Sequence, residues 1–422
     1  MLDIKYIRDH AGAVRAGVRL KGEDESSVDE ALALDEGRRG ILQKVETLKS
    51  RRNTVSAEVA RMKSKGEDAS ALIAEMRSVA EEIRGLDAAL APVEEKLRAA
   101  LLLIPNMPHA SVPAGNTPAD NQVVATRGEE PSVDFKLKPH WELMEDLAII
   151  DFARGTKITG AGFPVYVGRG AQLERALVNF FLDEARTRGY TEMSPPLMVN
   201  VASATGTGQL PDKEDQMYVV ARDELFLVPT AEVPVTNYYR DEILAEKQLP
   251  VRFCASTPCF RREAGSYGRD VRGLNRVHQF NKVELVRLVH PDRSYGDLEE
   301  MRADAELLIQ KLGLRYRVLL MCAGDLGFTQ AKKYDLEVWS AGQSKWLEVS
   351  SISNFESYQA RRMNIRFRPD GGGKPEIVHT LNGSALALPR MVAALLEHYQ
   401  TPEGKVLVPA ALHRYTGFEI IG

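Results

Sequence analysis

The sequence predicts an α+β protein in which a long antiparallel two-helix coiled-coil arm precedes a domain built on a mainly antiparallel β-sheet flanked by helices. Three observations carry this. A heptad pattern fills residues of about 29–101, and a stretch with four prolines and little apolar periodicity, Leu103 to Gln122, follows it and reads as a linker. Beyond that, helical stretches such as "AQLERALVNFFLDEARTRG" alternate irregularly with short β-rich runs such as "KYDLEVWSAGQSKWLEVSSI", as in α+β domains.

The arm is the most regular part. Leu72, Met76, Val79, Ile83, Leu86, Leu90, Val93 and Leu97 recur at alternating spacings of four and three, which is the seam of a coiled coil. Leu34, Ile41, Leu48, Val55 and Met62 follow at intervals of seven, with Val45 and Val59 between them, so the first half offers a matching seam. "KSKGEDAS", Lys63 to Ser70, suits the reversal. Helices of roughly 35 residues at about 1.5 Å each reach on the order of 50 Å. Pro92 deletes one backbone hydrogen bond and predicts a kink.

Charge is divided along the arm. Arg38, Arg39, Lys44, Lys49, Arg51, Arg52, Arg61, Lys63 and Lys65 face only Glu46 and Glu58, whereas acids dominate from Glu67 to Glu95. Interhelical salt bridging accounts for this division, and so does a basic rail for a phosphate backbone. A hairpin has room for both.

Length and composition set the frame. The 422 residues support two or three domains, read here as 1–110 and 111–422. A formal charge of −4 means that contact with nucleic acid must come from local patches. Cys254, Cys259 and Cys322 make neither a disulfide framework nor a zinc ligand set, so a reducing compartment is expected and no zinc. The N-terminal "MLDIKYIRDHAGAVRAG" mixes charges with its apolar residues and no run approaches membrane-spanning length, which points to the cytoplasm and no membrane. Walker loops and strand-borne G-x-G-x-x-G motifs are missing, which disfavours the common phosphate-loop folds.

The chemistry concentrates in "FRREAGSYGRDVRGLNRVHQF", Phe260 to Phe280. It sets Arg261, Arg262, Arg269, Arg272 and Arg276 around Gly265, Gly268 and Gly273. "PCFRRE" and "RVHQFNKVEL" read as two strands joined by this loop, which puts His278, Phe280, Lys282 and Glu284 on one face. Phe280 and Glu284 then lie about 13 Å apart at roughly 3.3 Å per residue. A flat ring suits a nucleobase, arginines suit a triphosphate or carboxylate, and the acid suits a small polar side chain. From these residues alone, a nucleotide site and a solvated arginine loop both stay open.

The segment closely resembles motif 2 of class II aminoacyl-tRNA synthetases, in the region 259–284, and is similar to the seryl-tRNA synthetases of bacteria. "GYTEMSPP" at residues 189–196 resembles motif 1, with Pro196 as its dimer-interface proline, and "LVPTAEVP" resembles the serine-binding loop. "WLEVSSISNF" resembles the magnesium segment, and "HTLNGSALALPR" resembles motif 3, near 380–397. "MLDIKYIRD", the heptad hairpin and "IPNMPH" resemble the N-terminal tRNA-binding domain, so the resemblance runs from residue 1 to about 415.

The resemblance implies a division of labour. Thr230, Ala231, Glu232, Glu284, Asn382 and Ser384 fall where the family binds L-serine, with Glu284 accepting the serine hydroxyl. A buried acceptor left unpaired rejects alanine, whereas threonine must be excluded by crowding. Arg261, Arg262, Glu263, Arg276, Val277, Phe280, Glu348, Val349, Ser350, Ser351 and Arg390 fall on the ATP positions, with Arg261, Glu263 and Arg390 in catalytic roles and Glu348 and Ser351 facing Mg²⁺. Ala385 and Pro389 depart from the class's glycine-rich motif 3. Arg269 and Arg272 lie on a loop that in this family can change between ATP and tRNA binding.

The activity so implied is ATP-dependent attachment of serine to tRNA(Ser), with tRNA(Sec) as a further acceptor, by a homodimer whose arm grips the RNA. Two other readings stand beside it. An amino acid:carrier protein ligase would lack the arm that this chain has, and an inactive RNA-binding paralogue would need damage in the serine or ATP residues.

Overall fold

Two short helices, α1 (Ile4–Asp9) and α2 (Ala11–Leu20), precede two long ones, α3 (Ser26–Ser64) and α4 (Ser70–Leu102). In this computed structural model, which describes residues 1–263 and 272–422, they form the first of two compact units, Met1–Pro105 and Asn106–Gly422. Every seam residue read from the heptads is buried or half-buried, with Val45, Val55, Val79, Ile83 and Leu97 the most enclosed. The apolar stripe therefore does what its spacing predicts. In the reversal at residues 65–69, Gly66 takes φ +75°, a conformation that costs a residue with a Cβ about 1–2 kcal/mol. The second helix continues as one element through Pro92.

Interhelical pairing uses part of the basic helix. Arg38 Nε lies 2.9 Å from Glu94 Oε1, and Arg51 pairs with Glu75. Lys44, Lys49, Arg52, Lys63 and Lys65 stay exposed. Asp35, 2 % exposed, accepts from Arg8 of α1 at 2.9 Å and from Arg39 at 3.0 Å, which ties the short helix to the long one.

In the second unit, the proline-rich stretch is not a free linker. The Asn106 amide donates to the carbonyls of Thr329 (3.0 Å) and Phe355 (2.9 Å), and the N–H groups of Ala323 and Gly324 donate to the carbonyls of Pro113 and Gly115. Buried carbonyls need donors: the Asn106 amide supplies two, and Ala323 and Gly324 supply donors to carbonyls of the stretch itself.

The elements that position the site are, in chain order, β1 (Gln122–Arg127), α5 (His140–Asp146), α6 (Arg169–Thr187), β2 (Thr191–Glu192), α7 (Glu232–Thr236), β3 (Val251–Phe260) and β4 (Gln279–Val289). They continue with α8 (Ser294–Lys311), β5 (Tyr316–Leu320), β6 (Lys332–Ser340), β7 (Lys345–Asn354), α9 (Tyr358–Met363), β8 (His379–Ala387) and α10 (Leu388–His398). The strands form one sheet in the order β1-β5-β6-β7-β8-β4-β3-β2. All neighbours are antiparallel except β2 and β3.

Period-two alternation gives the sheet two unlike faces. Val283, Leu285, Ile352, Leu381 and Ala385 join one core with Leu173, Leu177 and Phe181 of α6, Leu298, Met301 and Ile309 of α8, and Met391 and Leu395 of α10. Gly383 lies on that side: a Cβ there would come within 2.9 Å of Ile352 and 3.1 Å of Met301. Lys282, Glu284, Asn382 and Ser384 look the other way, into a cavity.

The loop departs from expectation at two points. β3 ends at Phe260, so Arg261, Arg262 and Glu263 continue beyond the strand, and Glu263 turns into the left-handed region at φ +47°. His278 precedes β4 and does not face the cavity. Its ring stacks on Phe163 at 5.4 Å, and its Nδ1 lies 3.0 Å from the Arg261 carbonyl. Gly265, Gly268 and Arg269 lie outside the described residues. Among the described residues, no helix is long and apolar enough to cross a membrane.

Candidate active site

A cavity of about 440 Å³ opens on the polar face of the sheet. One end is built from β4, β8 and the start of α7. Glu284 and Ser384 are register partners across β4 and β8, and Ser384 Oγ donates to Glu284 Oε2 at 3.3 Å. Thr230 precedes α7, where its Oγ1 accepts the Glu232 N–H at 3.2 Å. Glu232 Oε1 accepts from the side-chain amide of Gln359 of α9 at 2.7 Å, and Thr380 Oγ1 donates to Oε1 of the same amide at 2.8 Å. Burial pushes the Glu232 carboxyl up, and repulsion from Glu284 adds to it. Two acids in one small enclosure make a place for a cation.

The other end carries the arginines. Arg261 lies over the Phe280 ring at 5.3 Å and donates from Nε to the Pro229 carbonyl at 3.3 Å. Arg276 pairs with Glu263 at 3.0 Å. Arg390, in the first turn of α10, donates to the carbonyls of Asn275 (3.0 Å) and Glu348 (2.6 Å). Both flanking arginines are therefore held in place by neighbouring groups, which favours preorganised charge.

Strand β7 lines the floor with Glu348, Val349, Ser350 and Ser351. Ser350 Oγ donates to the Ser384 carbonyl at 2.7 Å, which joins the two ends. Beneath them, burial raises Asp335 to about 7, with Glu348 adding to the shift. Against its own desolvation, Glu348 is held below its ordinary value by Arg390, Lys333, Arg261 and Lys282.

Of the residues read from the sequence, Thr230, Glu232, Arg261, Glu263, Arg276, Val277, Phe280, Glu284, Glu348, Val349, Ser350, Ser351, Asn382, Ser384 and Arg390 all border this one cavity. Two do not. Ala231 is fully buried in an apolar cluster with Val235, Ala255 and Val286. Arg262 is anchored through its N–H to the Gln216 carbonyl at 3.0 Å and its side chain is exposed. Arg272, on the loop, lies over Trp141 at 4.7 Å. In motif 3, Ala385 belongs to the helix-side core, Pro389 opens α10, and Leu386 takes φ +77°. That glycine-like conformation in a residue with a bulky side chain is strained.

Several cavity or supporting residues were not read as site residues. Lys282, which alternation along β4 had placed on this face without a role, and Lys333 both line the cavity; alternation along β6 is the signal that could have found Lys333. Gln359 and His140 carry no local signal, because long-range packing brings them to the site.

Comparison with known proteins agrees with this geometry. Residues 218–399 match the tRNA synthetase class II core domain (G, H, P, S and T), and residues 1–108 match the seryl-tRNA synthetase N-terminal domain. The sheet and its cavity are thus the catalytic core of a class II aminoacyl-tRNA synthetase. The chain is 54 % identical to a serine–tRNA ligase of Salinibacter ruber over 425 residues, covering 100 % of this chain and 99 % of that one. It is 53 % identical to that of Bacillus subtilis, covering 99 % and 98 %. The seryl-tRNA synthetase of Pyrococcus horikoshii, solved in complex with ATP, superposes with a TM-score of 0.95 at 38 % identity, covering 100 % and 99 %. The chain belongs to the seryl-tRNA synthetases and is an enzyme, a serine–tRNA ligase of class II.

Proposed function

We propose that the cavity joins L-serine to ATP as seryl-adenylate and then passes the seryl group to tRNA(Ser). The observation that carries this is the pairing, within one cavity, of a two-carboxylate end at Glu232 and Glu284 with an arginine-and-aromatic end at Arg261 and Phe280. The acids suit an ammonium and a hydroxyl, and the far end suits a nucleotide. A homologue solved with ATP supports the nucleotide.

The steps follow from charge and placement. Glu232 takes the serine ammonium, Glu284 and Ser384 take its hydroxyl, and Arg261 draws the carboxylate to the α-phosphate. A carboxylate oxygen forms a bond to the α-phosphorus while the bond to pyrophosphate breaks. Arg276 and Arg390 meet the charge on the departing phosphates, and alignment supplies most of the rate. A hydroxyl of the terminal adenosine of tRNA then attacks the acyl carbon, and AMP leaves with the bonding pair.

For Mg²⁺, the residues fit in part. Glu348, half-exposed at the cavity, and Ser351 offer hard oxygen donors, and no group of three or more His, Cys, Asp or Glu is present among the described residues to cage an ion alone. Glu348 and Ser351 would hold such an ion alongside substrate phosphate, and it would supply neutralisation of phosphate charge.

The same reading includes tRNA(Sec) as an acceptor, on the family resemblance, and a cytoplasmic homodimer. Beside Pro196, Leu197, Met198 and Val201 are exposed, as a surface awaiting a second copy would be. Incubation with serine, ATP and Mg²⁺ in the absence of tRNA tests the chemistry. AMP bonded to serine, with pyrophosphate, is the expected product; ADP, or no serine-dependent product, would overturn the reading.

A further inference from the structure

Lys282 is 6 % exposed, and its ammonium lies 2.5 Å from Glu284 Oε2 and 2.9 Å from Thr230 Oγ1. Burying a lysine is costly unless the charge is paired, so its position invites a reason. The register between β4 and β8 shifts between Lys282 and Glu284, and such a bulge re-aims the side chains beside it. Here both point into the same end of the cavity.

The contacts are one-sided. Lys282 and Ser384 both engage Oε2 of Glu284, which leaves Oε1 for a group in the cavity. Thr230 Oγ1 accepts from Lys282 and from the Glu232 N–H. With both acceptor positions used, its own hydrogen is left to donate. The lysine also supplies countercharge where Glu232 and Glu284 repel each other.

We propose that Lys282 is a positioning residue for substrate selection: by holding one oxygen of Glu284 and the oxygen of Thr230, it aims the second carboxylate oxygen and the threonine hydroxyl at the amino-acid substrate. This rests on the assignment of that end of the cavity to serine. It predicts that Lys282 acts through Glu284 and Thr230, on amino-acid recognition far more than on ATP.

The test uses the full chain and serine-dependent pyrophosphate exchange. Lys282→Met should raise the KM for serine about 10- to 100-fold, the range of a lost charged hydrogen bond, and lower the preference for serine over alanine. The KM for ATP should move much less than that for serine, since the hydrogen bonds of the lysine lie at the serine end and its field at Glu348 is shared with Arg390, Lys333 and Arg261. A merely structural role would move both constants together, or neither, and either outcome overturns the proposal. Glu284→Gln supplies the second arm. Adding Lys282→Met to it should raise the serine KM by less than Lys282→Met does in the unaltered chain, because coupled residues are not additive and only the Thr230 contact remains to be lost; a full multiplicative loss overturns the proposal. That double variant removes both charges of the Lys282–Glu284 pair together, so it decides the matter even if Lys282→Met alone fails to fold. If the unaltered chain shows no serine-dependent exchange, the functional reading fails; if it exchanges normally and Lys282→Met is silent, only this inference fails.

Discussion

His140 and Glu397 form a fully buried pair, Nδ1 to Oε1 at 2.8 Å, behind the arginine end of the cavity. The same carboxylate accepts the His140 backbone N–H at 2.9 Å and the Gly342 N–H at 3.1 Å, while His140 Nε2 accepts the Leu274 N–H at 2.9 Å. Gly273 takes φ +65°, and a Cβ there would fall 2.4 Å from Nε2. The pair therefore fixes the returning end of the motif 2 loop, including Asn275, whose carbonyl holds Arg390.

His140→Ala leaves a buried carboxylate short of a partner and should cost about 3–5 kcal/mol of stability. Denaturant unfolding measures this, and a loss below about 1 kcal/mol contradicts the role given to the pair. The KM for ATP should rise as well, because the Asn275 carbonyl, one of the two that hold Arg390, is loosened.

Arg261 is only partly buried and rests on Phe280 and one carbonyl. Arg261→Ala should therefore leave the unfolding midpoint nearly unchanged. Serine-dependent exchange should fall at least about 100-fold, as for the loss of a preorganised charge at the reacting centre. Retained exchange would show that this arginine does not meet the α-phosphate.

Deleting Arg38 to Arg98 and closing the gap removes most of the arm, including its Arg38–Glu94 and Arg51–Glu75 pairs. Exchange should survive within about threefold, whereas tRNA charging should disappear, since phosphate contacts supply most of the affinity for RNA. Charging by the full chain should also weaken steeply with added salt. Loss of both activities, or of neither, contradicts a separate RNA-binding arm.

Burial pushes the His379 imidazole down to about 4, with the nearby His290 adding to the shift, and its Nδ1 lies 2.9 Å from Ser294 Oγ. Between about 4 and the ordinary 6.5, the unfolded chain binds the proton and the folded chain does not. Stability is thus present above 6.5 and is lost as pH falls toward 4, by about 2–3 kcal/mol. Unfolding measured from pH 7.5 to 4.5 should show this slope, and His379→Asn should flatten it; an unchanged slope contradicts the assignment.

Legibility varied with the range of the forces involved. The arm was readable because a seam is a local repeat, and each predicted position from Leu34 to Leu97 is at least half-buried. The cavity was readable where strands carry it: Phe280 and Glu284 share a face because alternation requires it. His278 escaped that rule because it precedes the strand and packs on Phe163, a contact no spacing could show. Ala231 was taken with its neighbours Thr230 and Glu232, but the turn into α7 sends its side chain to the core. Lys282 was placed on the right face but given no role, whereas Gln359 and His140 were missed because their partners, such as Glu232 at 2.7 Å and Glu397 at 2.8 Å, are distant in sequence.

The most direct test of the account is pyrophosphate exchange by the purified chain with ATP and serine, threonine, alanine or glycine in turn. Strong exchange is expected with serine. Alanine and glycine should be rejected sharply because Glu284 is left unpaired, and threonine more weakly because only crowding opposes it. Absence of serine-dependent exchange, or alanine used as well as serine, would contradict it.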